Sequence, residues 1–159
     1  MDIGVFIFDT DYSINISELA EELEQRGYES LFVPEHTHIP TSRRSPFPGG
    51  GELPKQYSHT LDPFVSLGFA AAATKSLKIG TGICLLPQRD PIVTAKSIAS
   101  LDLMSNGRFV LGLGGGWNVD EMENHGVTYK TRFSMMKEHV LAMKSLWVDE
   151  EAEFHGEYV

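Results

Sequence analysis

One cysteine, Cys84, leaves the chain without any internal disulfide and fits a reducing compartment. Cys84 sits in an apolar run and reads as a small core residue rather than a nucleophile. Basic residues are also scarce: 13 Lys and Arg stand against 22 Asp and Glu, a formal net charge of -9. That balance argues against nucleic-acid binding through a broad basic face. An anionic ligand must then be held by a local patch or by backbone donors. No apolar run approaches the roughly 18 residues of a membrane helix. The opening Met1-Asp2-Ile3-Gly4 lacks the basic start of a signal peptide. The expectation is a cytoplasmic protein with neither a nucleic-acid nor a membrane partner. Composition is otherwise that of a soluble globular domain, with 42% hydrophobic and 22% charged residues in 159. That length is enough for one cored domain spanning 1–159.

What is present is an alternation. Ile3 to Phe8 is a continuous β-prone run, suited to a strand buried on both faces. Asn15-Ile16-Ser17-Glu18 opens a helix with Ile16, Leu19, Ala20 and Leu23 on one side, and Gly27 closes it. Leu31-Phe32-Val33 is the second strand. Asp62-Pro63 starts a second helix, and Leu77 to Leu86 contains the third strand. Asp90-Pro91 starts a third helix by the same device, which Asn106-Gly107 stops. Phe109 to Leu113 is the fourth strand, and a last helix carries Phe133, Met136, Val140, Met143 and Trp147. Four strands each followed by a helix predict a parallel sheet, either doubly wound or barrel-like. The insert from Pro40 to Thr60 breaks the rhythm, as a binding loop or a disordered surface loop. The acidic tail from Asp149 ends like the first half of a hairpin.

Ligands of parallel α/β folds collect at the carboxyl ends of strands. Three segments there are rich in chemistry: Pro34-Glu35-His36-Thr37-His38, Gly80-Thr81-Gly82-Ile83 with Pro87-Gln88-Arg89-Asp90, and Gly112-Leu113-Gly114-Gly115-Gly116-Trp117. The last is a poor dinucleotide fingerprint, because Trp117 replaces the third glycine and the segment follows the fourth strand. Close approach of backbone to a planar ring explains the glycines better. His36 and His38 face the same way if the strand continues, which is how a metal site can begin. No further ligands are spaced to complete one, so no metal is expected. A histidine at a strand's carboxyl end is a plausible proton donor. Glycines at 80 and 82 in a β-branched run predict irregular backbone at Gly82-Ile83.

Together these segments resemble the luciferase-like monooxygenase superfamily, specifically its F420-dependent oxidoreductase branch, from Met1 to Val159. Its most specific parts are Pro34 to Pro40, Gly49-Gly50-Gly51-Glu52-Leu53-Pro54, Leu86-Pro87-Gln88-Arg89-Asp90-Pro91, and Gly107 through Asn118 with Glu121. The resemblance implies a (β/α)8 TIM barrel of which only the first four β/α units are present, a half-barrel. It implies coenzyme F420, or alternatively FMN, at the barrel mouth. His36 matches the family's active-site histidine. Thr81, Gly82 and Ile83 match the place where the backbone bulges under the ring, often with a cis peptide. Gly114, Gly115 and Gly116 match the loop beside it. Glu35 and Trp117 complete the expected cofactor-binding set. Relatives that oxidise sugar phosphates carry a glutamate where this chain has Trp117, which argues against that substrate.

The function this implies is hydride transfer between reduced deazaflavin and a small organic substrate, with His36 as proton donor or acceptor. Arg43, Arg44 and Arg89 are candidates for local positive charge. An FMN-dependent monooxygenase, a metal-dependent hydrolase on His36 and His38, and a non-catalytic truncated half-barrel are the alternatives. A complete barrel takes about 250 residues and grips phosphate after strands seven and eight. The chain is therefore expected to self-associate as a homo-oligomer or to be a fragment of a longer chain.

Overall fold

The computed structural model describes residues 1–159. Four parallel strands form one sheet: β1 (Gly4–Phe6), β2 (Ser30–Val33), β3 (Lys78–Thr81) and β4 (Phe109–Val110). Their spatial order is β1-β2-β3-β4. A doubly wound sheet reverses its strand order at a switch point, and this sheet has no reversal. Helices α1 (Ile16–Gln25), α2 (Pro63–Ala73) and α3 (Pro91–Met104) make the crossovers.

Each helix begins where a short acceptor side chain caps it. Asn15 accepts from the Ser17 N–H, Asp62 from Phe64 and Val65, and Asp90 from Val93. These caps satisfy donors that have no intrahelical partner. Left-handed backbone at Gly27 (φ 77°) and at Asn106-Gly107 (φ 58° and 75°) turns the chain out of α1 and α3. The core lies between the sheet and these helices, around Ala20, Leu31, Val33, Leu67, Ala70, Leu77 and Ile79. Leu86, Ala95, Ile98 and Met143 form a smaller cluster beside it.

Several expectations need correction. The run from Ile3 to Phe8 is not buried on both faces: only Gly4–Phe6 is strand, and Phe6 is 53% exposed. Val5 and Ile7 pack on the core, whereas the opposite face has no second layer in this chain. The third strand, Lys78–Thr81, lies within the expected stretch from Leu77 to Leu86, and the irregular backbone expected after it is there, as a cis Gly82–Ile83 peptide. Cys84 then bridges to Leu113 before a 3-10 turn at Leu86–Gln88. After β4 come two helices, not one: α4 (Val119–Asn124) precedes α5 (Arg132–Val148). The tail from Asp149 makes no strand; it folds back on α5, with the Tyr158 N–H donating to Glu138.

The insert is an anchored loop. It holds a 3-10 turn at Lys55–Ser58 and is stitched to α4. The Val119 N–H donates to Ser45 Oγ at 2.9 Å, and Ser42 Oγ donates to Asp120 at 2.5 Å. Arg44 pairs with Asp120 and Glu123.

Candidate active site

A cleft of about 410 Å³ opens at the carboxyl ends of β1 to β3, walled mainly by Phe6, Phe8, Tyr57, Ile83, Leu85 and Trp117. His36 stands among these aromatic rings. Its ring centroid is 5.3 Å from Tyr57 and 5.8 Å from Trp117. Thr60, at the end of the insert, donates to the His36 carbonyl at 3.0 Å. The insert thus supplies Tyr57 and fixes the backbone of the histidine it faces.

Beneath His36 lies Glu121, from α4, with no exposed surface. Its Oε2 is 2.7 Å from His36 Nδ1, and its Oε1 accepts from the Thr37 N–H at 3.0 Å. Asn118 accepts from the Glu121 N–H and so caps the helix that carries it. A second buried carboxylate, Glu35, accepts from the Leu85 N–H at 2.7 Å and from Arg89 Nε at 2.6 Å. Arg89 also donates to Asp62, the cap of α2. Burial works against the Arg89 charge, yet the hydrogen bond and attraction of Glu35 outweigh it and raise its pKa further. Burial likewise pushes the Cys84 thiol up. It stays neutral, in keeping with its reading as a core residue.

The expected site residues separate into two layers. Glu35, His36, Gly82, Ile83, Gly116 and Trp117 line the cleft. Thr81, Gly114 and Gly115 lie behind it. Thr81 Oγ1 donates to the Gly112 carbonyl and accepts from its N–H. A Cβ on Gly114 would stand 1.5 Å from Ile83 Cδ1, and one on Gly115 2.7 Å from Phe133. On the Cβ side, the close approach that these glycines permit is to Ile83 and Phe133. Both oxygens of Glu35 are hydrogen-bonded within the protein, one to the Leu85 N–H and one to Arg89. Arg89 is a partner of Glu35, not a free cation. Arg44 is spent on α4, and Arg43 Nη1 donates to the Pro40 carbonyl.

His36 and His38 do not share a face. The strand ends at Val33, and His38 turns outward to Thr37 and Asn124. His125, which has no recognisable spacing to the other histidines, meets Thr37 Oγ1 at 2.7 Å beside it. The arrangement separates the two imidazoles that a metal-dependent hydrolase would need together.

Aromatic side chains wall the cleft, with room for a planar, largely apolar ring, and His36 stands among them. The luciferase-like monooxygenase family model matches residues 1–159. The chain belongs to this family. Among relatives of the luciferase-like chain is the uncharacterized protein Rv0953c of Mycobacterium tuberculosis (strain ATCC 25618 / H37Rv). It is 44% identical over 100% of this chain and 57% of its own length. An F420-dependent glucose-6-phosphate dehydrogenase of Amycolatopsis mediterranei is 30% identical over 91% of this chain and 40% of its own length. The oxygenating constituent of 3,6-diketocamphane monooxygenase from Pseudomonas putida, solved with FMN, shares the fold. Its TM-score is 0.79 at 22% identity, over 100% of this chain and 42% of that one. The chain thus spans about half the length of the curated relatives it matches.

Sequence reasoning missed Glu121 and Tyr57 as site residues. Glu121 lies in the acidic stretch Asp120-Glu121-Met122-Glu123, which by composition reads as a solvated helix face. The signal for it was Asn118-Val119-Asp120-Glu121, a cap residue with an acid three positions on. Tyr57 sits inside the insert, where no periodicity gives a side chain's direction.

Proposed function

We propose that residues 1–159 are the first four β/α units of a luciferase-like (β/α)8 barrel domain. The domain serves an oxidoreductase that moves a hydride between coenzyme F420 and a small organic substrate. The unreversed strand order and the span of about half the relatives' length support the half-barrel. The open sheet face around Phe6 is covered either by further β/α units of the same polypeptide or by a second copy. Phosphate-gripping loops follow later strands in such barrels, so this chain alone holds the cofactor weakly.

One observation carries the redox reading: His36, whose Nδ1 is taken by Glu121, sits in an aromatic cleft beside Trp117. When bound, reduced deazaflavin supplies a hydride and reacts poorly with oxygen, which favours a dehydrogenase or reductase over an oxygenase. Gly82, Ile83, Gly116 and Trp117 would bound its ring. Tyr57, Phe8 and Trp117 exclude water from the reacting face, which strengthens charge interactions there. His36 gives or takes the proton at the substrate oxygen as that oxygen gains or loses charge. Trp117, standing where sugar-phosphate oxidisers carry a glutamate, favours a less polar substrate.

The FMN-dependent monooxygenase is the second reading, favoured by the fold shared with an FMN-bound structure. Titration with F420 and with FMN, followed by ligand fluorescence, separates the two. The longest polypeptide containing this sequence should bind F420 with the lower Kd. Tighter FMN binding would transfer the protein to the second reading.

A further inference from the structure

We infer that Glu121 is a positioning residue that fixes His36 in the Nδ1–H tautomer, so that Nε2 is the nitrogen presented to the cleft. The inference rests on the reading of His36 as the proton-transferring group, and it adds the residue and the atom through which that role is exercised.

Donors and acceptors around Glu121 decide the tautomer. Glu121 is fully buried, and each of its oxygens meets a fixed partner, with the Thr37 hydroxyl as a further, longer donor to Oε1 at 3.4 Å. The first is the backbone N–H of Thr37, 3.0 Å from Oε1. A backbone N–H can only donate, so the atom at the Oε1 position must accept. The second is His36 Nδ1, 2.7 Å from Oε2. A carboxylate accepts at both oxygens, so Nδ1 carries the hydrogen. In a neutral imidazole the other nitrogen is then the acceptor. Glu35, the neighbouring carboxylate, is held by Arg89 and the Leu85 N–H and does not compete. His36 is therefore oriented from behind by an acidic partner, and its free lone pair faces the aromatic cleft. A buried carboxylate in this position also stabilises the imidazolium that forms when Nε2 takes a proton.

Glu121→Gln makes the inference sharp. The Thr37 N–H still requires an acceptor, so the amide oxygen must occupy the Oε1 position. The NH2 group then points at His36 Nδ1, which must accept, and the hydrogen moves to Nε2. An isosteric change thus reverses the tautomer without removing a side chain. The same logic makes an aspartate-to-asparagine change costly in the serine protease triad.

The test is nitrogen NMR of the histidine side chains in the cofactor-free protein, at a pH where His36 is neutral. The unaltered protein should show His36 as the Nδ1–H tautomer and Glu121→Gln as the Nε2–H tautomer. In the enzyme loaded with F420, the variant should lose about 10²- to 10⁴-fold in kcat with KM little changed. An Nε2–H tautomer in the unaltered protein, or the same tautomer in both, overturns the inference. If the variant fails to fold, the tautomer of the unaltered protein decides alone. Because the tautomer is read without cofactor, its outcome is independent of whether F420 or FMN proves to be the ligand.

Discussion

Arg89 reaches across from the turn after β3 to hold Glu35, donating from Nε to Oε1 at 2.6 Å, while its Nη2 lies between Glu35 Oε1 and Asp62 Oδ2, at 2.5 and 2.8 Å. Glu35 has 2% of its side chain exposed and Arg89 19%. The pair therefore ties the end of β2 to the start of α2 directly behind the cleft. Removing one partner strands the other: Arg89→Met should cost about 3–5 kcal/mol. Replacing both, as Glu35→Leu with Arg89→Met, should recover much of that loss. Urea denaturation of the two variants checks this, and equal loss in both would show that packing rather than charge sets the cost.

Glu24 accepts hydrogen bonds from the backbone N–H groups of Lys75, Ser76 and Leu77 and from the Ser76 hydroxyl. The Ser76 N–H is the largest cause that holds its pKa down to about 2, against a desolvation that raises it. A depressed carboxylate pKa stabilises the fold above the unfolded value near 4.5 and loses that contribution as pH falls toward 2. Glu24→Gln should thus be less stable than the unaltered protein at pH 7. The gap should close as the pH is lowered from about 4.5 to 2. Thermal unfolding across that window reads it, and a gap independent of pH would remove the carboxylate charge from the account.

Gly112 is required by backbone contact. A Cβ there would stand 2.1 Å from the Thr81 carbonyl oxygen, which belongs to β3 and cannot rotate away. Gly112→Ala should therefore part β3 from β4 at a cost of about 1–3 kcal/mol. Gly68→Ala on α2 meets nothing within 4 Å and serves as the control, neutral or slightly stabilising. Equal stability of the two variants would contradict the packing argument.

The alternation of strands and helices was legible because caps and apolar periods are local signals. Asn15, Asp62 and Asp90 mark their helices in sequence as they do in space. His36, Ile83 and Trp117 were found because strand ends gather ligands in parallel folds, and the cleft does bring them together. The protein neighbours of Glu35, Gly114 and Gly115 were not legible. A carboxylate or glycine at a strand end can face a ligand or the protein, and only the partner across the sheet decides. That partner is Arg89 for Glu35, and Ile83 for Gly114. Glu121 was hidden for a related reason: it is buried against His36 and Thr37, and Thr37 is 84 residues away in sequence.

The most direct test of the redox reading is single-turnover hydride transfer with F420, followed by the deazaflavin absorbance over a panel of small alcohols and carbonyl compounds. It should compare His36→Asn with the unaltered protein, in the longest polypeptide containing the sequence. The account predicts that the variant folds and binds F420 within about 2-fold, yet transfers hydride about 10²- to 10⁴-fold more slowly. A His36→Asn protein that reacts as fast as the unaltered one would contradict it.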